Sequence, residues 1–263
     1  MQAIQRNNVK VIGSGEKTLV LAHGYGCDQN TWRHIVPSFS KDYKVVLFDY
    51  VGSGLSDATA FDRTRYSTLR GYADDVLEIL QELDLKHIHF VGHSVSSMIG
   101  ALASIKEPDR IATITMIGPS ACYLNDGTYI GGFGQADIDS LLETLENNHV
   151  AWSATMAPLI MGNLETPELA EELAASFCRM DPFLASHFAR VTFLSDNRAD
   201  LPLVKARTLV LQCQKDVIAG VNVGEYVHQC IPESQFVLME ATGHCPHMST
   251  PKEVIQHIRH FLG

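Results

Sequence analysis

Basic residues are in short supply in this chain: 20 lysines and arginines stand against 30 aspartates and glutamates, a formal net charge of -10. They are dispersed, which excludes a generic affinity for nucleic acid or anionic lipid, since both need clustered Lys and Arg. The six cysteines (Cys27, Cys122, Cys178, Cys213, Cys230 and Cys245) form no C-x-x-C pair, arguing against a zinc site and against a disulfide framework. Reduced, mostly buried thiols are expected instead. No apolar run reaches the roughly 18 residues that a membrane span needs. There is no internal repeat and no low-complexity linker. The first residues, "MQAIQRNNVKVIGSGEK", lack the basic head and apolar stretch of an export leader, so the cytoplasm is the expected compartment.

What is present is the material of a globular core. Hydrophobic residues make up 46% of the 263 and charged residues 19%, a balance that rules out disorder as the main state. A chain of this length in an α/β fold reads as one unit carrying an insertion. Short apolar runs recur at "TLVLA" (18–22), "KVVLF" (44–48), "IHFVG" (88–92), "ATITMI" (112–117), "RTLVLQC" (207–213) and "QFVLM" (235–239). Near-continuous apolar strands are what a parallel sheet covered on both faces requires. Between them Leu69, Tyr72, Ala73, Val76, Leu77, Leu80 and Leu83 recur at steps of three and four, marking a helix buried along one face. The alternation predicts βαβ units in a doubly wound fold.

After "IGPSACYL" (117–124) about eighty residues pass without a strand-like run. Residues 137–148, 150–161, 166–180 and 181–194 each carry helical apolar spacing. "TPE" at 166 and "DP" at 181 supply a capping residue followed by proline at the first helical position. The expected division is therefore a core of residues 1–118 and 207–263 with a four-helix insertion at 119–206. The insertion either lies as a lid over the sheet or extends the core, and the direction of its apolar faces separates the two.

The chemistry centres on "FVGHSVSSMIG" (90–100), an apolar strand, a tight turn and an apolar helix with Ser94 at the turn. It departs from G-x-S-x-G, because Ser96 stands where the last glycine belongs. A serine hydroxyl needs a histidine to take its proton and an acid to orient that histidine. In the strand–turn–serine–helix arrangement these partners follow in the order acid, then histidine, just beyond late strands. Asp216 follows "RTLVLQCQK" and His244 follows "QFVLMEATG", in that order. His247, in "GHCPHMS", is a competing base one helical turn farther from its strand. Asp49 is a competing acid, but it precedes the turn-rich "YVGSG" and reads as an organiser of that loop. An acyl-transfer site also needs oxyanion donors, and the amides of Val95 and of Tyr25, in the glycine-bearing loop "HGYGCDQ", are the expected pair. The side chains of Tyr25 and Cys27 are expected at the pocket. "GSGLS" (52–56) lacks the lysine and spacing of a phosphate loop, and no metal or cofactor is expected.

With these segments in view, "HGYGCDQNTW", "VVLFDYVGSGLSD", "FVGHSVSSMIG", "GPSACYLND", "FCRMDP", "LQCQKDVIA" and "GHCPHMS" together resemble the RsbQ-type α/β hydrolases over nearly the whole chain. That family comprises bacterial regulators of an energy-stress sigma-factor pathway and relatives of the plant karrikin and strigolactone receptors. The resemblance implies an eight-stranded α/β-hydrolase core, a four-helix lid and a buried hydrophobic pocket. It implies Ser94 as nucleophile, Asp216 as acid and His244 as base, with Tyr25 and Val95 giving the oxyanion amides. It also places Phe133, Trp152, Phe193 and Ile218 along the pocket. Phenylalanine is usual where Tyr25 stands, so the added hydroxyl is expected to change pocket polarity. Two readings follow from the resemblance. One is an esterase for a small hydrophobic ester or lactone. The other is a signalling module that turns such a ligand over slowly and activates a PP2C-type phosphatase partner.

Overall fold

The computed structural model describes residues 2–263. The chain opens with a helical turn, α1 (Ala3–Arg6), and continues through β1 (Lys10–Ile12), β2 (Lys17–Ala22), α2 (Val36–Phe39) and β3 (Tyr43–Leu47). It then alternates α3 (Leu69–Glu82), β4 (Ile88–His93), α4 (Val95–Lys106) and β5 (Ile111–Ile117). Four helices follow without a strand: α5 (Gln135–Asn147), α6 (His149–Met161), α7 (Pro167–Arg179) and α8 (Pro182–Phe193). The sheet resumes with β6 (Arg207–Lys215), α9 (Val221–Cys230) and β7 (Ser234–Thr242), and the chain closes on α10 (Pro246–Ser249) and α11 (Pro251–Leu262).

The strands form one sheet in the order β1-β3-β2-β4-β5-β6-β7, parallel throughout except where β1 pairs antiparallel with β3. All six apolar runs become strands. Seven strands among the described residues correct the expected eight. The residues before β1 close into a helical turn that buries Ala3 and is pinned sideways: the Arg6 guanidinium reaches Asp75 at 3.0 Å and Glu78 at 2.7 Å, and Asn7 Nδ2 donates to the Asp49 carbonyl at 3.0 Å.

Period-two alternation sends Val20, Ala22, Val46 and Phe48 to one face of the sheet and Leu19, Leu21, Val45 and Leu47 to the other. The first face packs α3 and α4, and the second packs α11 with Trp32 and Phe39. On α3 the residues Leu69, Tyr72, Ala73, Val76, Leu77 and Leu80 are all buried, while Leu83 packs at the margin of that core. The four helices between β5 and β6 divide their apolar faces. Phe188 of α8 stacks on Tyr72 at 4.4 Å between centroids and joins the sheet core. Trp152, Ile160, Leu173, Phe177 and Phe193 instead form a third cluster with Cys27, Tyr123, Ile218 and Cys245 from the strand-end loops. That third cluster positions the site.

Candidate active site

Ser94 occupies the turn from β4 into α4 with φ 56 and ψ -123, a conformation that a non-glycine residue holds only where its surroundings enforce it. They do so from two sides. Its amide donates to the Ile117 carbonyl at 2.8 Å, tying the turn to the end of β5. Gly92 lets α4 run close to the strand, since a Cβ there would lie 2.5 Å from the Ser96 carbonyl oxygen. The serine that replaces the usual glycine fits without clash. Ser96 Oγ donates to the His23 carbonyl at 2.5 Å and accepts from the Tyr50 hydroxyl at 2.8 Å.

The structure brings Ser94, His244 and Asp216 together. His244 Nε2 lies 2.8 Å from Ser94 Oγ, and His244 Nδ1 lies 2.7 Å from Asp216 Oδ2. An ionised carboxylate only accepts, so Nδ1–H donates to Asp216 and the Nε2 lone pair faces the serine hydroxyl. Asp216 Oδ1 accepts from the amides of Ile218 at 2.8 Å and Ala219 at 3.0 Å, which fixes the carboxylate plane. The His244 backbone is held twice: its amide donates to the Ile160 carbonyl of α6 at 2.8 Å, and its carbonyl accepts from His93 Nε2–H at 2.7 Å.

The competing groups have other surroundings. His247 is fully buried between Trp32 and His93, at centroid distances of 4.6 and 4.4 Å, and neither ring nitrogen has a partner among the described residues. Burial pushes its pKa down from 6.5 to about 3, so it stays neutral. Asp49 accepts from the Gln29 amide at 2.9 Å, Asn8 Nδ2 at 2.7 Å and the Leu55 amide at 3.0 Å, binding together the loops on either side of it.

Val95 begins α4, so its amide is one of the helix N-terminal donors that no carbonyl of the helix can reach. The Tyr25 loop is fastened to the inserted helices. Ser176 Oγ of α7 donates to the Gly26 carbonyl at 2.8 Å, the Tyr25 hydroxyl donates to the Ala185 carbonyl of α8 at 3.1 Å, and Arg179 reaches Asp28 at 3.0 Å. Burial alone would raise the Asp28 carboxyl, but the Asn30 amide and Arg179 outweigh it and hold it below the usual value. The hydroxyl of Tyr25 therefore does not add polarity to the pocket, as sequence reasoning expected; a helix carbonyl takes it up. Its ring lies among Trp152, Phe177, Phe188 and Phe193, 5.8 to 6.4 Å between centroids.

Above Ser94 lies a narrow cavity of about 30 Å³, walled mainly by apolar side chains. Trp152, Phe193 and Ile218 line it as expected, as do Tyr25 and Cys27. Phe133 does not. The bonds Asn125 N–H to Phe133 O (2.8 Å) and Phe133 N–H to Tyr123 O (3.1 Å) hold its loop so that the ring sits among Tyr123 and Phe193, one layer back. Sequence reasoning missed His93, Tyr123, Met156, Ile160, Leu173, Phe177, Thr192 and Cys245. Tyr123 had a signal, standing in the loop straight after β5. It faces Ser94, whose pull on its pKa is smaller than the rise from burial. Burial also pushes the Cys27 thiol up to about 12, so it remains an unreactive thiol. Among the described residues no group of three side chains is spaced to hold a metal ion, and no helix is long and apolar enough to cross a membrane.

Residues 17–251 match the family described as alpha/beta hydrolase fold, and the chain belongs to that family. It is 42% identical to the karrikin insensitive 2 receptor CA of Petunia hybrida over 97% of each chain, and 38% identical to strigolactone esterase D14 of Arabidopsis thaliana over 97% of this chain and 96% of that one. Among solved structures, a hydrolase from Oleispira antarctica superposes with a TM-score of 0.96 at 46% identity, covering 99% of this chain and 96% of that one.

Proposed function

We propose that this ester-cleaving hydrolase uses Ser94 to attack a small, hydrophobic ester or lactone. His244 takes the Ser94 proton as the oxygen adds to the carbonyl carbon, and Asp216 stabilises the imidazolium that forms. The oxyanion accepts from the Val95 and Tyr25 amides, which need no reorganisation as charge develops. Collapse of the tetrahedral intermediate expels the alcohol, protonated by His244, and leaves an acyl group on Ser94. Water, deprotonated by His244, then releases the acid. In this reading residues 119–206 serve as the lid that shields the acyl-enzyme from bulk water.

The observation that carries the reading is the unbroken chain from Asp216 through His244 to Ser94, with both contacts shorter than 3 Å, opening onto an apolar cavity. Its test is hydrolysis of short acyl p-nitrophenyl esters. Ser94→Ala lowers kcat on the order of a million-fold, and mass spectrometry of wild type quenched early finds the acyl mass on the peptide holding Ser94. A Ser94→Ala protein that keeps its turnover overturns the assignment.

A second reading is that the same site serves signalling in the manner of the RsbQ-type regulators, with slow turnover of the ligand and activation of a PP2C-type phosphatase. It is favoured by the relative named as a receptor and by the three bonds that join the Tyr25 loop to the inserted helices. Such bonds make the lid sensitive to what occupies the site. Co-purification with such a phosphatase, with turnover below one per minute, supports this reading; fast turnover without a partner removes it.

A further inference from the structure

The two amides assigned to the oxyanion stand on different loops, Tyr25 after β2 and Val95 after β4, and neither N–H reaches a backbone carbonyl among the described residues. Their spacing depends on what joins the loops. The junction is a closed ring of hydrogen bonds among His23, Tyr50 and Ser96, each 0% exposed. Ser96 Oγ–H donates to the His23 carbonyl, which has no hydrogen to give, so the Tyr50 hydroxyl donates to Ser96 Oγ at 2.8 Å. The Tyr50 amide donates to His23 Nε2 at 3.2 Å. That bond fixes the tautomer: Nε2 accepts, and Nδ1–H donates to the Gly24 carbonyl at 2.8 Å. Burial keeps the ring neutral against the pull of Asp49 and Asp28. The Gly24 carbonyl belongs to the peptide plane that carries the Tyr25 N–H. In a planar trans unit the two point to opposite sides, so a donor that holds the oxygen also sets the direction of the N–H. An amide whose oxygen accepts is also polarised into a stronger donor. The Cys27 amide adds a longer bond to the same oxygen, 3.3 Å. Gly24 itself lies against the nucleophile, since a Cβ there would stand 3.3 Å from Ser94 Cβ and 2.5 Å from His93 Nδ1.

We infer that Ser96, Tyr50 and His23 are positioning residues for the oxyanion, a brace that holds the Tyr25 N–H in fixed relation to the Val95 N–H. Ser96 is the neighbour of Val95 and His23 stands two residues before Tyr25, so the bond from Ser96 Oγ to the His23 carbonyl spans the gap between the loops. A glycine at this position would take that donor from the carbonyl and leave the buried Tyr50 hydroxyl without its partner. The inference rests on the hydrolase reading and gives the serine at the last position of the motif a part in transition-state binding.

The test compares a p-nitrophenyl ester with its thionoester, whose sulfur is a weaker acceptor and draws less from oxyanion donors, each rate divided by that for hydroxide-catalysed hydrolysis of the same compound. Wild type prefers the oxygen ester. In Ser96→Ala, kcat for that ester falls roughly tenfold at unchanged KM, a displaced donor forfeiting part of the hundredfold or more that a lost one costs, and the preference over the thionoester falls by the same factor. A role in stability alone lowers the melting temperature and leaves the preference intact. His23→Asn, whose Nδ2 can still donate to the Gly24 carbonyl, keeps more of the preference than His23→Leu. Independently of turnover, the Tyr25 amide resonance in a proton–nitrogen correlation spectrum moves in both Ser96→Ala and His23→Leu. An inactive wild type overturns the hydrolase reading alone, and the Tyr25 resonance then decides the brace. A preference unchanged in Ser96→Ala and His23→Leu, or a Tyr25 resonance that stays in place in both, overturns this inference.

Discussion

The floor and the wall of the cavity are built by different means. On the floor, Ser94, Asp216 and His244 each stand just past a strand of one sheet, and backbone bonds locate them: Ser94 N–H to Ile117 O, Gly243 N–H to Lys215 O, His244 N–H to Ile160 O. The wall comes from α6, α7 and α8, whose rings meet one another and those of the strand-end loops at 5 to 6.5 Å between centroids, and whose outer faces leave Val150, Leu159 and Phe183 exposed. Directional bonds hold the groups that must react, and volume-filling contacts hold the groups that must fit. Substitutions on the floor should therefore act on kcat by orders of magnitude, and those on the wall by smaller factors on stability and selectivity.

The largest effect expected after loss of Ser94 itself is at Asp216. In Asp216→Asn the retained oxygen can still accept from Ile218 and Ala219, so the loop keeps its shape. The new NH₂ donates toward His244 Nδ1, which turns the imidazole to the tautomer whose Nε2 carries a proton and cannot accept one from Ser94. We expect kcat to fall about ten-thousand-fold, with a melting temperature close to wild type. A fall of less than a hundred-fold would mean that the floor is less dependent on orientation than the contrast requires.

The junction of floor and wall is probed at Gly26. Its φ is +72, and an added Cβ would stand 2.1 Å from the Phe177 ring. Gly127 has φ +58 and open space around it, so Gly127→Ala reports backbone strain alone, about 1 kcal/mol. Gly26→Ala adds the displacement of a buried aromatic ring and should cost about 2–3 kcal/mol, read by urea denaturation. Equal losses at the two glycines would show that the wall yields freely.

The same contrast explains what the sequence made legible. The six strands and the order of Ser94, Asp216 and His244 could be read because strand-end positions follow from apolar runs and a fixed topology. β1 escaped notice because Lys10–Ile12 is three residues long and exposed, with no face for a pattern to mark. The wall was only half legible. Helical spacing located α5 to α8, yet whether Phe133 or Phe177 reached the cavity depended on loop bonds and ring packing between distant segments, which no local pattern records. Tyr25 was misjudged for the same reason, since its hydroxyl partner, Ala185, lies 160 residues away.

Behind the floor, His247 provides a smaller effect tied to pH. Its folded pKa is near 3 against an ordinary 6.5, so between those values the unfolded chain binds a proton that the folded chain does not. Stability then falls as pH drops from about 6.5 toward 3, by up to about 1.4 kcal/mol per pH unit for this one group. His23 and His93, also pushed down by burial, act in the same direction. Replacing His247 with glutamine should remove one proton from the slope of unfolding free energy against pH between pH 6 and pH 5, a window above most carboxylates. An unchanged slope would place the proton uptake elsewhere.

The smallest effect expected is at Tyr25. Tyr25→Phe removes a hydroxyl that donates to Ala185 O, a carbonyl inside α8 and therefore within reach of its own helical donor. No buried group is left wholly unpaired, so the loss should be about 0.5–1 kcal/mol of stability. The ring keeps its neighbours Trp152, Phe177, Phe188 and Phe193. Because this residue also supplies a proposed oxyanion amide, the bond is one place where the wall can transmit its position to the floor. If the two are mechanically joined, kcat for a short ester changes several-fold and the change is larger in the double variant with Ser176→Ala, which also releases Gly26. If kcat stays constant in both the single and the double variant while stability falls, floor and wall share a boundary but act independently.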